Sequence, residues 1–168
     1  VYRVLDAMCA ADGYVHASLE YTVDNAVSTI RHCTLHDNAS RAEIARNARV
    51  LDRLAGILGQ YARIDESVLT LFLEVLREKQ QDDDSFFGAL EQVLDVYDSF
   101  NNENKMYAFH IVRMTIVRPA YQAEILSRDN LPSICDFALR TAGDAVKAST
   151  QRIMQQNTAS RPRPTRAN

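Results

Sequence analysis

The chain has 168 residues, 46% of them hydrophobic, with Lys+Arg 19 against Asp+Glu 22, a net charge of −3 and a pI near 5.8. That length suits one domain with a real core and is too short for two, while the acidic balance excludes a global attraction for nucleic acid or anionic membranes. No apolar run reaches the roughly 18 residues a membrane helix needs, and no basic segment followed by an apolar stretch and a cleavage site opens the chain.

Glycine is scarce at 5 and proline at 4, every proline falling at Pro119 or later. The first two thirds therefore carry no strong helix breaker, and the expected class is all-α. Three cysteines, Cys9, Cys33 and Cys135, lie in helical patterns, and an odd number is no disulfide framework. Buried reduced thiols point to an intracellular, reducing compartment. Because the chain begins at Val1 rather than Met, an organellar destination stays open.

The stretch Cys9–Glu20, CAADGYVHASLE, has the look of a calcium loop. Such a loop needs oxygen ligands at positions 1, 3, 5 and 12 around a Gly at 6. Setting Gly13 at position 6 places Met8, Ala10, Asp12 and Leu19 there, which leaves one carboxylate and no cage. Asp12-Gly13 instead ends a first helix, and Ser18 offers a hydroxyl to cap the next. The run AADGYV after an apolar helix resembles the TerB-type helical domains of tellurite resistance, and no function is carried over from it.

Leu19, Val23, Val27 and Ile30 mark one face of a second helix that ends near TLHDN. Ser40 with Glu43 forms a capping-box pattern for a third, which has an apolar stripe of Ile44, Leu51, Leu54 and Leu58 and runs unbroken from Ala42 to Leu54. Gly56 and Gly59 beyond it allow a bend or a close crossing. Asp65 is the expected cap of a fourth helix, whose Val68, Leu71, Phe72, Val75 and Leu76 keep a strict helical period. After KQQDDDS, with Asp84 or Ser85 as the cap, a fifth helix buries Phe86, Phe87, Leu90, Val93, Leu94 and Tyr97.

The stretch KMYAFHIVRMTIV is apolar nearly all round apart from Lys105, His110 and Arg113, which predicts a central sixth helix. Pro119 breaks it at Arg118, and a short helix through Ile125 and Leu126 follows. Pro132 stands near the first turn of one last long helix that buries Ile134, Phe137, Ala138, Ala145 and Ile153. Seven to eight helices are thus expected over residues 1–157. Helix centres near Leu51, Leu69, Leu90 and Ile111 put a helix pair at about 40 residues, the length of a HEAT or armadillo unit. A compact antiparallel bundle and a short HEAT- or armadillo-like array both fit that period.

Residues 158–168 read as an extended basic tail, in which Arg161, Arg163 and Arg166 alternate with Pro162 and Pro164 and no acid intervenes. This segment is suited to docking on an acidic protein surface or on phosphates.

Candidate chemistry is sparse. His32 and His36 stand four apart on one helix face, a spacing that suits zinc, and Cys9 would approach if the first two helices pack antiparallel. A histidine near a helix C-terminus also has a simpler role, since it meets free carbonyls there. Cys33, Cys135 and His110 have no Gly-rich elbow or phosphate loop beside them, and His110 reads as a core histidine. SRAEIARNARVLDRLAG resembles the first helix and turn of a helix-turn-helix DNA reader, but with Arg49 where the turn favours glycine. Its Arg41, Arg46, Arg49 and Arg53 would supply a nucleic-acid face.

The expected role is a non-catalytic helical interaction or scaffold module, a subunit or accessory component of a larger assembly. No cofactor is expected, and the partners are other protein subunits or a second copy. The alternatives are a nucleic-acid-associated protein using the Arg face and tail, and a metal-binding helical protein using His32, His36 and Cys9.

Overall fold

The computed structural model describes residues 15–77, 84–141 and 143–160. Nine α-helices fall among them: α1 (Glu20–His36), α2 (Asn38–Arg46), α3 (Ala48–Ala55), α4 (Ala62–Arg77), α5 (Phe87–Asp95), α6 (Asn102–Thr115), α7 (Pro119–Ser127), α8 (Leu131–Thr141) and α9 (Asp144–Ser160). The class is all-α, as composition predicts, with more helices than expected because two predicted long helices are each split.

The first split is at Asn47. Its backbone leaves the helical region at φ −100° and ψ 83°, and its side chain accepts the Val50 N–H at 3.2 Å. A short polar side chain that satisfies a helix-start donor competes with continued helix. The reorientation lets Ala45 at the end of α2 and Val50 in α3 both reach the core. The second split, at Gly143, separates α8 from α9, so the expected single C-terminal helix is two.

Helix starts also differ from expectation. Asp37, not Ser40, caps α2: its carboxylate accepts the N–H groups of Ala39 and Ser40 and the Ser40 hydroxyl. Those three donors hold the Asp37 carboxyl below its ordinary range, the Ser40 hydroxyl contributing most. Asp65 lies inside the first turn of α4 and reaches back to accept the Gly59 N–H at 2.8 Å. Neither Ser18 nor Ser85 caps a helix. α1 starts after Leu19 with no side-chain cap, and the Ser85 hydroxyl donates across the fold to the Ala45 carbonyl. Pro119 behaves as predicted, ending the preceding segment at an extended Arg118 and opening α7 at its first position.

The helices form two layers. In one, α4 packs between α1 and α6, and α6 between α4 and α8; in the other, α3 packs on α5, α5 meets α7, and α7 meets α9. α2 bridges α1 and α4, and α9 closes against α8. The fully buried face of α4, Val68, Leu69, Leu71, Phe72 and Val75, is what its strict apolar period calls for. Phe72 meets Phe86 edge to face at 5.1 Å, and Phe87 stacks on Tyr121 at 5.8 Å, joining the layers through aromatic contacts.

Polar side chains then fix the register between neighbouring helices. Asp24, buried on α1, accepts the Ser67 hydroxyl at 2.7 Å and pairs with Arg63 Nε at 2.9 Å, both on α4. Asn104 on α6 donates to the Ala62 carbonyl at 2.8 Å, and Asn130 donates to the Leu94 carbonyl at 2.7 Å. Arg128 grips Asp95 and Glu124, with Glu91 at 3.9 Å. Together with the Ser85–Ala45 bond, the long-range ties among these span 33 to 43 residues, about one helix pair.

Candidate functional site

The residues singled out from sequence do not converge. His32 and His36 do share a face at the end of α1, their rings edge to face at 4.6 Å. No group of three or more metal-ligating side chains occurs among the described residues, and Cys9 lies outside them. Residues 9–14 of the calcium-like stretch, with most of the AADGYV run, also lie outside; beyond them Val15 is buried with its N–H bonded to the Gln60 side chain at 2.7 Å, and Ala17–Leu19 form a single 3-10 turn before α1.

Arg41, Arg46, Arg49 and Arg53 are divided by the break at Asn47. Arg41 is only 13% exposed, bonds to Asn38, and lies 3.8 Å from Glu74. Arg46 lines an open hollow over the α2–α3 elbow together with Glu43 and Asn47. Arg49 is exposed and Arg53 half-buried on α3. The turn between α2 and α3 is a single residue, shorter than the three or four of a helix-turn-helix.

Among the thiols, Cys33 is exposed and Cys135 buried. Burial pushes the Cys135 thiol up to about 11, so it is protonated at neutral pH and carries no nucleophile. Burial, then the nearby Arg113 cation, lowers the His110 pKa, so this half-buried imidazole is neutral at pH 7. Arg161, Pro162, Arg163, Pro164 and Arg166 lie outside the described residues. The last helix runs to Ser160, three residues into the predicted tail.

A site not visible in the sequence lies where α6 ends, α7 begins and α9 crosses. A groove of about 320 Å³ is lined there by Arg113, Ile116 and Val117 from the end of α6, Gln122 from α7, and Ser149, Arg152, Ile153 and Gln156 from α9. Ile116 and Ile153 are buried and form an apolar floor, while Val117 is 79% exposed at the rim. Both lining arginines are exposed, and among the described residues neither has a hydrogen bond or an ion pair. Among the described residues, none that lines the groove is acidic.

The backbone explains this geometry. The extended Arg118 before Pro119 turns the chain sharply, so the last turn of α6 and the first turns of α7 make two walls. Arg118 itself is buried, with its guanidinium 6.0 Å above the Tyr121 ring. α9, packed against α7 and α8, supplies the third wall. Arg113 alone would be accounted for by its place in the last turn of α6, where a cation meets free carbonyls. Arg152 lies mid-helix, where the dipole offers no such role.

No protein-family profile matches this chain, and no curated protein or solved structure matches it significantly.

Proposed function

We propose that this chain is a non-catalytic helical interaction module, built as a short HEAT- or armadillo-like array and acting as a subunit or accessory component of a larger protein assembly. The observation that supports the reading is the regular side-by-side stacking of α1, α4 and α6. These helices begin at Glu20, Ala62 and Asn102, 42 and 40 residues apart, and each is tied to the next by polar side chains. An array in which each unit touches only its neighbours exposes a long surface relative to its core, and such surfaces serve docking. Tyr21 at 65% and Val117 at 79% exposure lie on helices of that layer or at their ends. No helix among the described residues is long and apolar enough to cross a membrane.

The test is sedimentation of the tagged protein from its source cells at physiological salt. The reading expects a discrete peak well above the mass of the protein alone, containing at least one other polypeptide in fixed ratio. Migration as the free protein overturns it.

A further inference from the structure

We infer that the groove between α6, α7 and α9 binds an extended acidic peptide segment of a partner protein, with Arg113 and Arg152 holding its carboxylates. This rests on the interaction-module reading and assigns it a place and a ligand chemistry.

Charge comes first. The protein as a whole is acidic, at −3, yet two arginines from separate helices line one groove that has no acidic residue among its described lining. Elsewhere, arginines that approach acidic side chains are paired: Arg63 with Asp24, Arg77 with Glu74, Arg128 with Asp95 and Glu124. Arg113 and Arg152 make no such pair within the described residues, and two arginines beside one groove match carboxylates in shape and charge.

The remaining lining selects among anions. Gln122 carries a donor and an acceptor, the combination needed to meet a peptide backbone. Ile116 and Ile153 give an apolar floor for an intervening aliphatic side chain, and Val117 extends that apolar surface to the rim. A free inorganic anion would make no use of that floor. A nucleic-acid strand would call for more cations and for aromatic stacking surfaces, and no aromatic residue among those described lines this groove.

Fluorescence anisotropy on the intact protein tests the assignment with a fluorescein-labelled peptide alternating glutamate with leucine. Wild type should bind it, with affinity falling as salt rises. R113E/R152E should bind at least about tenfold more weakly, the loss expected for two charge-assisted contacts, and should instead gain binding to the matching lysine–leucine peptide. Both substitutions lie at exposed positions, so an unchanged thermal melt separates loss of binding from loss of fold. Inorganic phosphate and a single-stranded oligonucleotide serve as competitors. The inference is overturned if wild type does not bind the acidic peptide, if the double substitution leaves binding unchanged, or if either competitor displaces the peptide at lower concentration than unlabelled peptide does. Sedimentation of R113E/R152E from source cells distinguishes the two levels: a large complex without peptide binding refutes only this groove, whereas wild-type protein sedimenting alone refutes the module reading itself.

Discussion

The side-chain amide of Asn104 donates to the backbone carbonyl of Ala62 at 2.8 Å, joining the first turn of α6 to the first residue of α4. Asn104 is fully buried and its Oδ1 has no hydrogen-bond partner among the described residues, so the residue is held there at a cost. An apolar residue would avoid that cost but would leave the sliding of α6 along α4 unconstrained. Asn104→Ala should lower stability by about 1–2 kcal/mol, the usual loss for a buried hydrogen bond. Urea denaturation checks this, and an unchanged midpoint would mean that the bond contributes nothing to register.

Asp65 gives a pH-dependent prediction. Burial raises its carboxyl to about 6, against a partial opposing effect of the Gly59 N–H. A folded-state pKa above the unfolded value means that the native protein holds the proton more tightly, so this group's contribution falls as pH rises from about 4 to about 6 and is fully unfavourable above that. Asp65→Asn keeps an oxygen for the Gly59 N–H and removes the charge. It should be more stable than wild type by about 1–3 kcal/mol at pH 7.5, with the difference shrinking as pH approaches 4. Parallel melts across that range would show a constant offset if Asp65 does not titrate in this window.

The glycines should respond in a fixed order. Gly59 has φ +82°, and a Cβ there would stand 3.2 Å from both Val96 Cβ and Ser99 Oγ. Gly59→Ala should therefore cost about 1–3 kcal/mol through strain and crowding together. At Gly88 a Cβ meets Asp52 Oδ1 at 2.6 Å, but that carboxylate tip can swing outward, so the cost should be smaller. Gly56→Ala meets nothing closer than 3.4 Å and should be neutral or slightly stabilising. Equal melting temperatures for the Gly59 and Gly56 variants would contradict this order.

Arg128 balances three carboxylates drawn from α5 and α7 and is 23% exposed. Arg128→Ala leaves those carboxylates facing one another and should cost about 1–2 kcal/mol in low salt. The cost should shrink as salt screens their repulsion. A salt-independent loss would assign the effect to packing of the arginine stem instead.

Elements defined by local pattern were legible in the sequence. The period of Val68 to Leu76 on α4 and the stop at Pro119 need no tertiary information, and both are found. The break at Asn47 was not legible, because Ala42 to Leu54 has no Gly or Pro and its local propensity favours continuity. What divides it is tertiary: Ala45 and Val50 must both reach the core. The Asp37 cap is hidden in the sequence because the Ser40–Glu43 pattern three residues later matches a capping device equally well. The groove was illegible for a different reason. Arg113 and Arg152 are far apart in sequence and meet only because α9 folds back over α7. By contrast, the dense run from Arg41 to Arg53 draws the eye in one dimension, yet is divided in three.

A photo-crosslinking amino acid at Val117, in protein expressed in its source cells, tests most directly whether this chain is an interaction module working through the α6–α7–α9 groove. A single reproducible polypeptide adduct is expected from Val117, lost in R113E/R152E and absent when the probe is moved to exposed Glu103 on α6. No adduct from Val117, or one equally strong from Glu103 and indifferent to the arginines, would contradict it.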